Sequence, residues 1–190
     1  MGVVVAGCMI LVAGCGADPA SGQRPGPSST PVVSPIPVVQ NPRDVAAMSR
    51  RTCELLAPQQ AQGFGLDLPP KPRDGLFGTV DCEWTTTKRD GRLVRQVGIA
   101  VFTDNPTLDV VYSRRDSFVS FELTTVGGYP ATVVRTNADL PICDIDVKPA
   151  ELQSVSLTYD SEEFRGNPQQ ACEVGKQVVE AVLTNLPPKS

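Results

Sequence analysis

The feature that most restricts how this chain can fold is a set of four cysteines spread along its central and C-terminal parts: Cys53, Cys82, Cys143 and Cys172. Their meaning depends on the compartment. In an exported protein an even number of cysteines indicates disulfides, whereas in the cytosol the same residues more often bind metal or carry out redox chemistry. The N-terminus therefore decides how these cysteines are interpreted.

The N-terminal residues predict an exported lipoprotein. The run from Val3 to Gly14 carries no charge and is too short to span a membrane as a helix, which needs about 20 residues, but it fits the apolar stretch of a signal peptide. It ends in Val12-Ala13-Gly14-Cys15, which resembles the bacterial lipobox, so residues 1–15 are predicted to be a signal with lipidation at Cys15. Neither lysine nor arginine precedes the run, and we therefore expect a basic segment upstream of Met1.

Residues 16–40 predict a flexible tether. Proline, glycine and serine make up about half of this segment, and Asp18 and Arg24 are its only charged residues. Such a composition buries too little apolar surface to offset the entropy lost on ordering, and its prolines favour extended backbone. The globular part is then predicted to be a single domain over residues 41–187.

With Cys8 removed with the signal and Cys15 lipidated, the four remaining cysteines predict two disulfides. A zinc site is less favoured because the chain has no C-x-x-C pair. Three pairings are possible, and loop-closure entropy does not choose strongly among them. The local pairing, Cys53 with Cys82 and Cys143 with Cys172, is preferred because it would join each terminal helix to a strand.

Hydrophobic periodicity predicts an α+β domain with an antiparallel sheet of about five or six strands, covered by N- and C-terminal helices. Alternating apolar residues mark six stretches: 79–86, 93–103, 119–123, 131–135, 143–147 and 155–159. Three helices are predicted: from Asn41 to Pro58, after Asn105-Pro106, and from Asn167 to the residue before Pro187. Each of them has an Asn-Pro pair as its start signal. Residues 68–72 are predicted to be a loop.

Composition excludes several function classes. The chain has no histidine, which removes Ser-His and Cys-His nucleophile pairs and histidine metal sites. A net charge of -4 argues against a protein that binds nucleic acid through phosphate contacts. Neither a glycine-rich phosphate loop nor a nucleophile-elbow motif is present, so no catalytic residue, metal or cofactor is predicted.

Two groups of charged residues are candidates for binding. Asp144 and Asp146 share the polar face of a predicted strand, where further carboxylates could lie nearby: Asp139, Asp160, Glu162 and Glu163. A weak Ca²⁺ site is one interpretation, and a solvated strand face is the favoured one. Basic residues surround the first predicted hairpin: Lys88, Arg89, Arg92 and Arg95. Contact with anionic lipid or wall polymer is one interpretation, and solvated charges that protect a sheet edge are the favoured one. Trp84 shares the Val80 face and is predicted to be a core residue.

The order of these features resembles that of a family. A lipobox cysteine and a Pro/Ser tether precede Cys53-Glu54-Leu55-Leu56 and Asp81-Cys82-Glu83-Trp84, and a late strand and helix open with Cys143 and Ala171-Cys172-Glu173. This pattern is similar to actinobacterial secreted lipoproteins, several of them mycobacterial, that share a domain of unknown function. The resemblance implies a fold reminiscent of the Mog1/PsbP-like proteins, which bind partners and are not enzymes.

Two functions are compatible with the sequence. The first is a non-enzymatic domain, held on the extracytoplasmic face of the cell membrane by its N-terminal lipid, that binds an envelope protein, a lipid or a small ligand. The alternative is an envelope hydrolase or transferase that uses carboxylates or a serine. An apolar cleft would favour binding, and a cleft with two convergent carboxylates would favour the enzyme.

Overall fold

The computed structural model describes residues 35–75, 78–105 and 107–189. Within these residues the chain forms one antiparallel sheet of seven strands in the order β1-β2-β3-β7-β6-β5-β4. The strands are β1 Lys71–Asp74, β2 Val80–Thr87, β3 Leu93–Phe102, β4 Ser120–Val126, β5 Tyr129–Arg135, β6 Ile142–Ala150 and β7 Gln153–Ser161. The predicted antiparallel α+β fold is confirmed.

Three α-helices accompany the sheet in the described part of the chain: α1 Pro58–Gly63, α2 Thr107–Ser113 and α3 Pro168–Asn185. The predicted helices after Asn105-Pro106 and Asn167-Pro168 correspond to α2 and α3. Short 3₁₀ turns occur at Ala46–Met48, Thr52–Glu54, Arg115–Ser117 and Glu162–Phe164. None of the helices in the described residues is both long enough and apolar enough to cross a membrane.

The predicted first helix, from Asn41 to Pro58, is wrong. The segment instead contains the two 3₁₀ turns before α1, and the backbone leaves the helical region at Arg51, with φ -129° and ψ 35°. Tertiary contacts explain the break, because the buried Thr52 hydroxyl donates to the Val80 carbonyl at 2.5 Å and Cys53 is bonded to Cys82. These bonds hold the chain against β2 at a point where a continuous helix would turn away.

Strand β1 is a second difference, because the sequence predicts a loop over residues 68–72. All four residues of β1 are exposed, so the strand carries no alternation of apolar and polar residues for a sequence pattern to detect. Pro72 lies opposite Cys82 in the β1–β2 ladder. Proline is tolerated there because β1 is an edge strand, where a missing N–H leaves no gap within the sheet.

The main core lies between one face of the sheet and α3 together with the N-terminal segment. Its sheet residues alternate along the central strands, as in Val155, Leu157 and Tyr159 of β7, all of them buried. Helix α3 approaches the sheet closely at Gly175, where a Cβ atom would lie 3.0 Å from Ile145 Cδ1. Only glycine gives the helix this separation from the strands.

The other face of the sheet is partly covered by α2, which follows β3 and crosses to the far edge of the sheet, where β4 begins. Leu108 of α2 is fully buried, and Ser154 of β7 accepts a hydrogen bond from the Thr107 amide at 3.0 Å. Lys148 of β6 lies 4.0 Å from Asp109 of α2. These contacts leave the β1–β3 side of this face open.

The packed part of the chain begins upstream of Asn41. Ile36 is buried and Val39 packs against the core, although both belong to the segment predicted to be the tether. The Arg43 amide donates a hydrogen bond to the Pro149 carbonyl at 2.9 Å, and the Asp44 amide donates one to the Pro187 carbonyl at 2.8 Å. The predicted signal, the lipidation site Cys15 and residues 16–34 of the tether lie outside the described residues.

Candidate functional site

An apolar cleft of about 540 Å³ lies beside the Cys53–Cys82 disulfide. Three short segments and one strand residue form it. They are the segment Cys53–Pro58, of which Leu55 does not line the cleft; Ala61 and Gln62 of α1; the stretch Leu66–Pro70; and Trp84 of β2. Ligand sites of proteins fall in this size range and are lined mainly by apolar groups. We refer to this concavity as the Trp84 cleft.

A disulfide and two hydrogen bonds hold the walls of the Trp84 cleft, and of these the sequence predicts only the disulfide. The Cys53–Cys82 disulfide, with Cα atoms 5.0 Å apart, fixes one 3₁₀ turn to β2. The Gln60 side chain accepts a hydrogen bond from the Ala57 amide at 2.9 Å and so stabilises the start of α1. Asn185 of α3 donates to the Leu55 carbonyl at 2.9 Å. The cleft is therefore framed by connected elements.

The polar groups of the Trp84 cleft lie on side chains open to solvent. Glu54 pairs with Arg51 at 3.0 Å, and both side chains are more than half exposed. Asp67 and Gln62 are also exposed. Because the carboxylates are acidic and the inner wall is formed by Leu56, Leu66 and Trp84, the cleft suits an apolar molecule that carries no negative charge.

The second disulfide, Cys143–Cys172, joins β6 to the first turns of α3, with Cα atoms 5.1 Å apart. The preferred local pairing of the four cysteines is thus confirmed. Each disulfide spans 29 residues along the chain. The Cys53–Cys82 disulfide lines the Trp84 cleft, whereas the Cys143–Cys172 disulfide lies within the core.

The paired carboxylates Asp144 and Asp146 lie on the α2 side of β6, away from the Trp84 cleft. Asp144 accepts a hydrogen bond from the Thr158 hydroxyl at 2.6 Å, and Asp146 accepts one from the Ser156 hydroxyl. Burial raises the pKa of both carboxyl groups, and these hydroxyls act in the opposite direction. The prediction of a solvated face is wrong at Asp146, which is buried because α2 covers it.

Other predicted charged residues separate in the structure. In the part of the chain that the structure describes, no group of three or more cysteine, aspartate or glutamate side chains is arranged to hold a metal ion. Glu162 pairs with Arg165 at 2.5 Å, and that hydrogen bond lowers the pKa of Glu162. Arg95 is not the solvated hairpin charge that the sequence predicts, since only 16% of its side chain is exposed and it pairs with Glu163. The core position predicted for Trp84 is confirmed.

The sequence profile of a family described as "Protein of unknown function (DUF3558)" matches residues 3–185. The chain belongs to this family. The match covers both disulfides and the whole sheet, in agreement with the predicted membership of a family that shares a domain of unknown function. No curated protein and no solved structure matches the chain.

The Trp84 cleft was missed by sequence reasoning. The sequence predicts Trp84 to be a core residue on the Val80 face, but the cleft arises where residues 53–70 fold back on that strand. The signal in the sequence was the stretch Leu66–Pro70, which combines apolar residues with two prolines that cannot donate hydrogen bonds. Such a stretch is compatible with an apolar rim that stays outside the sheet.

Proposed function

We propose that this chain is a lipid-anchored protein on the extracytoplasmic face of the cell membrane, whose domain binds an apolar small molecule or lipid in the Trp84 cleft and carries out no reaction on it. Its partners are then the membrane, through the lipid on Cys15, and the ligand of the cleft or an envelope protein that presents it, with no role for nucleic acid. The observation that carries the proposal is the cleft itself, with its apolar inner wall and a volume of about 540 Å³.

The lining of the cleft supports binding over the hydrolase or transferase alternative. Its polar residues are Glu54, Gln62 and Asp67, and it contains neither a serine nor a free thiol. Cys53 is consumed in the disulfide. The carboxylates with raised pKa, Asp144 and Asp146, belong to the α2 side of the sheet and are bonded to neighbouring hydroxyls. An enzyme that used this pair would need substrate to reach Asp146 beneath α2.

The location rests on two independent features. Two disulfides within the described residues are typical of proteins that fold in an oxidising compartment. The lipobox-like sequence ending at Cys15 supplies the anchor, and residues 16–34 supply a spacer rich in proline, glycine and serine. The actinobacterial origin and the Mog1/PsbP-like fold implied by the sequence resemblance stay predictions, and they agree with a binding role.

Binding in the cleft is testable with N-phenyl-1-naphthylamine, a neutral apolar fluorophore. We expect its fluorescence to rise on binding the wild-type domain. Leu68→Asp, which places a third carboxylate on the rim beside Asp67, should weaken binding at least about tenfold, because a charge raises the cost of an apolar contact. Leu140→Asp is the matched control, since Leu68 and Leu140 are both 37% exposed and Leu140 lies outside the cleft. Equal affinities of the two variants, or no binding by the wild type, would contradict the proposal.

The anchor is tested by Cys15→Ala in cells. Without the thiol that accepts the lipid, the protein should leave the membrane fraction or accumulate as an uncleaved precursor of higher mass. Cys8→Ala is the control, because Cys8 follows the same Val-Ala-Gly sequence but has too short an apolar run before it. Membrane retention and normal processing of the Cys15 variant, measured by fractionation and mass spectrometry, would refute lipidation at this residue.

A further inference from the structure

The mouth of the Trp84 cleft carries negative charge. Glu54 and Asp67 are the charged residues among those that line the cleft, and neither a lysine nor an arginine belongs to this lining. Both acidic residues are exposed, whereas Leu56 and Leu66 of the inner wall are buried. A molecule that enters from solvent therefore passes these carboxylates before it reaches the apolar wall. The two carboxylates differ in whether they already have a partner.

Glu54 is already paired with a cation. Its Oε2 lies 3.0 Å from Nη1 of Arg51, and Arg51 Nη2 donates to the Ala47 carbonyl at 3.4 Å. The guanidinium is thus held toward the 3₁₀ turn Ala46–Met48 and does not line the cleft. An exposed pair of this kind adds little to stability, but it balances much of the charge that Glu54 would otherwise present to a ligand.

Asp67 has no such partner. Within the described residues its carboxylate takes part in neither a salt bridge nor a side-chain hydrogen bond. The backbone on both sides of it is fixed, because the Leu66 amide donates to the Ala61 carbonyl at 2.9 Å and the Leu68 amide donates to the Thr85 carbonyl at 3.3 Å. Asp67 is therefore a negative charge that the backbone holds at the mouth and that no cation of the described chain balances.

The backbone at the mouth offers hydrogen-bond acceptors more than donors. Pro58, Pro69 and Pro70 line it and have no N–H group. The N–H groups of the two leucines that flank Asp67 are already used within the chain. Gln62 adds a side-chain amide, which can both donate and accept. A ligand group that donates hydrogen bonds is consequently a better complement to this mouth than one that accepts them.

The inner wall determines the other end of the ligand. Leu56 and Leu66 are 2% exposed and Trp84 is 1% exposed, and the cleft that they border has a volume of about 540 Å³. An apolar chain loses nothing by leaving water for such a wall, whereas a charged group placed there would lose its hydration. The charged end of a ligand must then stay at the mouth, where a carboxylate or phosphate would be repelled by Asp67.

We propose that the ligand of the Trp84 cleft is a cationic amphiphile, an apolar chain that ends in an ammonium group, and that Asp67 selects it. The chain lies against Leu56, Leu66 and Trp84, and the ammonium donates hydrogen bonds to the Asp67 carboxylate at the mouth. This inference rests on the proposed function, because it names the ligand class of the same cleft. Amphiphiles with a carboxylate or phosphate head group are disfavoured by the same charge.

Three probes with one apolar chain test the proposal: octylammonium, octan-1-ol and octanoate. Trp84 is the single tryptophan of the chain, so its fluorescence in the wild-type protein reports occupancy of the cleft. We expect octylammonium to bind about three- to fivefold more tightly than octan-1-ol, which is the scale of one exposed ion pair, and octanoate to bind more weakly than the alcohol. Added salt should reduce the preference for ammonium, because it screens exposed charges.

Asp67→Asn removes the charge and keeps the size of the side chain. In this variant octylammonium should bind no more tightly than octan-1-ol, while the affinity of the alcohol should stay within about twofold of the wild-type value. Asp139→Asn is the matched control, since Asp139 is also exposed but lies outside the cleft, and it should keep the full preference for ammonium. Equal affinities of the wild type for octylammonium and octan-1-ol, or an unchanged preference in Asp67→Asn, would overturn the inference.

N-phenyl-1-naphthylamine separates this failure from a failure of the proposed function. If the wild-type protein binds this neutral probe but does not prefer octylammonium, the cleft takes apolar molecules without selecting charge, and the inference alone is contradicted. If neither the neutral probe nor any of the three octyl compounds binds, the proposed function is contradicted together with it.

Discussion

Replacing Trp84 with alanine is expected to lower the free energy of unfolding by about 3–5 kcal/mol, as large-to-small substitutions of buried aromatic residues do. Trp84 is 1% exposed and lies opposite Val97 in the β2–β3 ladder, where it forms part of both the core and the inner wall of the cleft. The rest of the sheet cannot move inward to fill the vacated volume, because the β2 backbone is fixed by its ladder to β3 and by the disulfide at Cys82.

Urea denaturation followed by far-ultraviolet circular dichroism measures the Trp84→Ala effect without relying on tryptophan fluorescence. Trp84→Phe, which keeps an aromatic ring, should lose less stability than the alanine variant. Val119→Ala is the control, since Val119 is 57% exposed and its truncation should change stability by no more than about 0.5 kcal/mol. A loss below about 1 kcal/mol for Trp84→Ala would show that this side chain is not part of the packed core.

Removing either disulfide is expected to cost about 3.6 kcal/mol from chain entropy alone, because both bridges close loops of the same length, 29 residues. The two double variants should nevertheless differ. Cys143 and Cys172 are both buried, whereas Cys53 is half-buried. Cys143→Ala with Cys172→Ala therefore also leaves a gap in the core, and we expect it to lose more stability than Cys53→Ala with Cys82→Ala.

The same pair of variants separates stability from binding. The Cys53–Cys82 bridge positions the turn that lines the Trp84 cleft, so its removal should weaken binding of N-phenyl-1-naphthylamine. Removal of Cys143–Cys172 should leave that binding unchanged under conditions in which the domain is folded. Urea denaturation and fluorescence titration of both variants give the comparison. The opposite order of stabilities, or equal probe affinities, would contradict the roles assigned to the two bridges.

The elements that sequence predicted well are those whose own residues carry the pattern. In β7 the buried residues Val155, Leu157 and Tyr159 alternate with polar ones, so the strand and its core face follow from period-two spacing alone. Helix α3 shows an Asn-Pro start signal and an apolar stripe along its 18 residues. Its start was predicted correctly, although Asn167 forms no side-chain cap, because proline at the first helical position favours the same backbone.

The elements that sequence missed are those stabilised by residues far away. The segment 41–57 has helical spacing, yet Thr52 bonds to Val80 and Cys53 to Cys82, and these contacts outweigh local propensity. Strand β1 forms because β2 offers an unpaired edge, although its own residues are exposed. The sequence predicts a solvated face at Asp146, because it does not show which face α2 will cover.

The sequence by itself determined the class of this domain, since the alternation of its strands, its last helix and its four cysteines are local or countable properties of the chain. It also determined which side chains of the central strands share the core face, because period-two spacing in a strand assigns alternate residues to one face. Tertiary structure decided the order of the strands, the course of the N-terminal segment and the Trp84 cleft. This cleft joins residues from separate elements, such as Leu56, Leu66 and Trp84. Its chemistry arises from proximity in space, which depends on how the elements pack and which no single segment encodes.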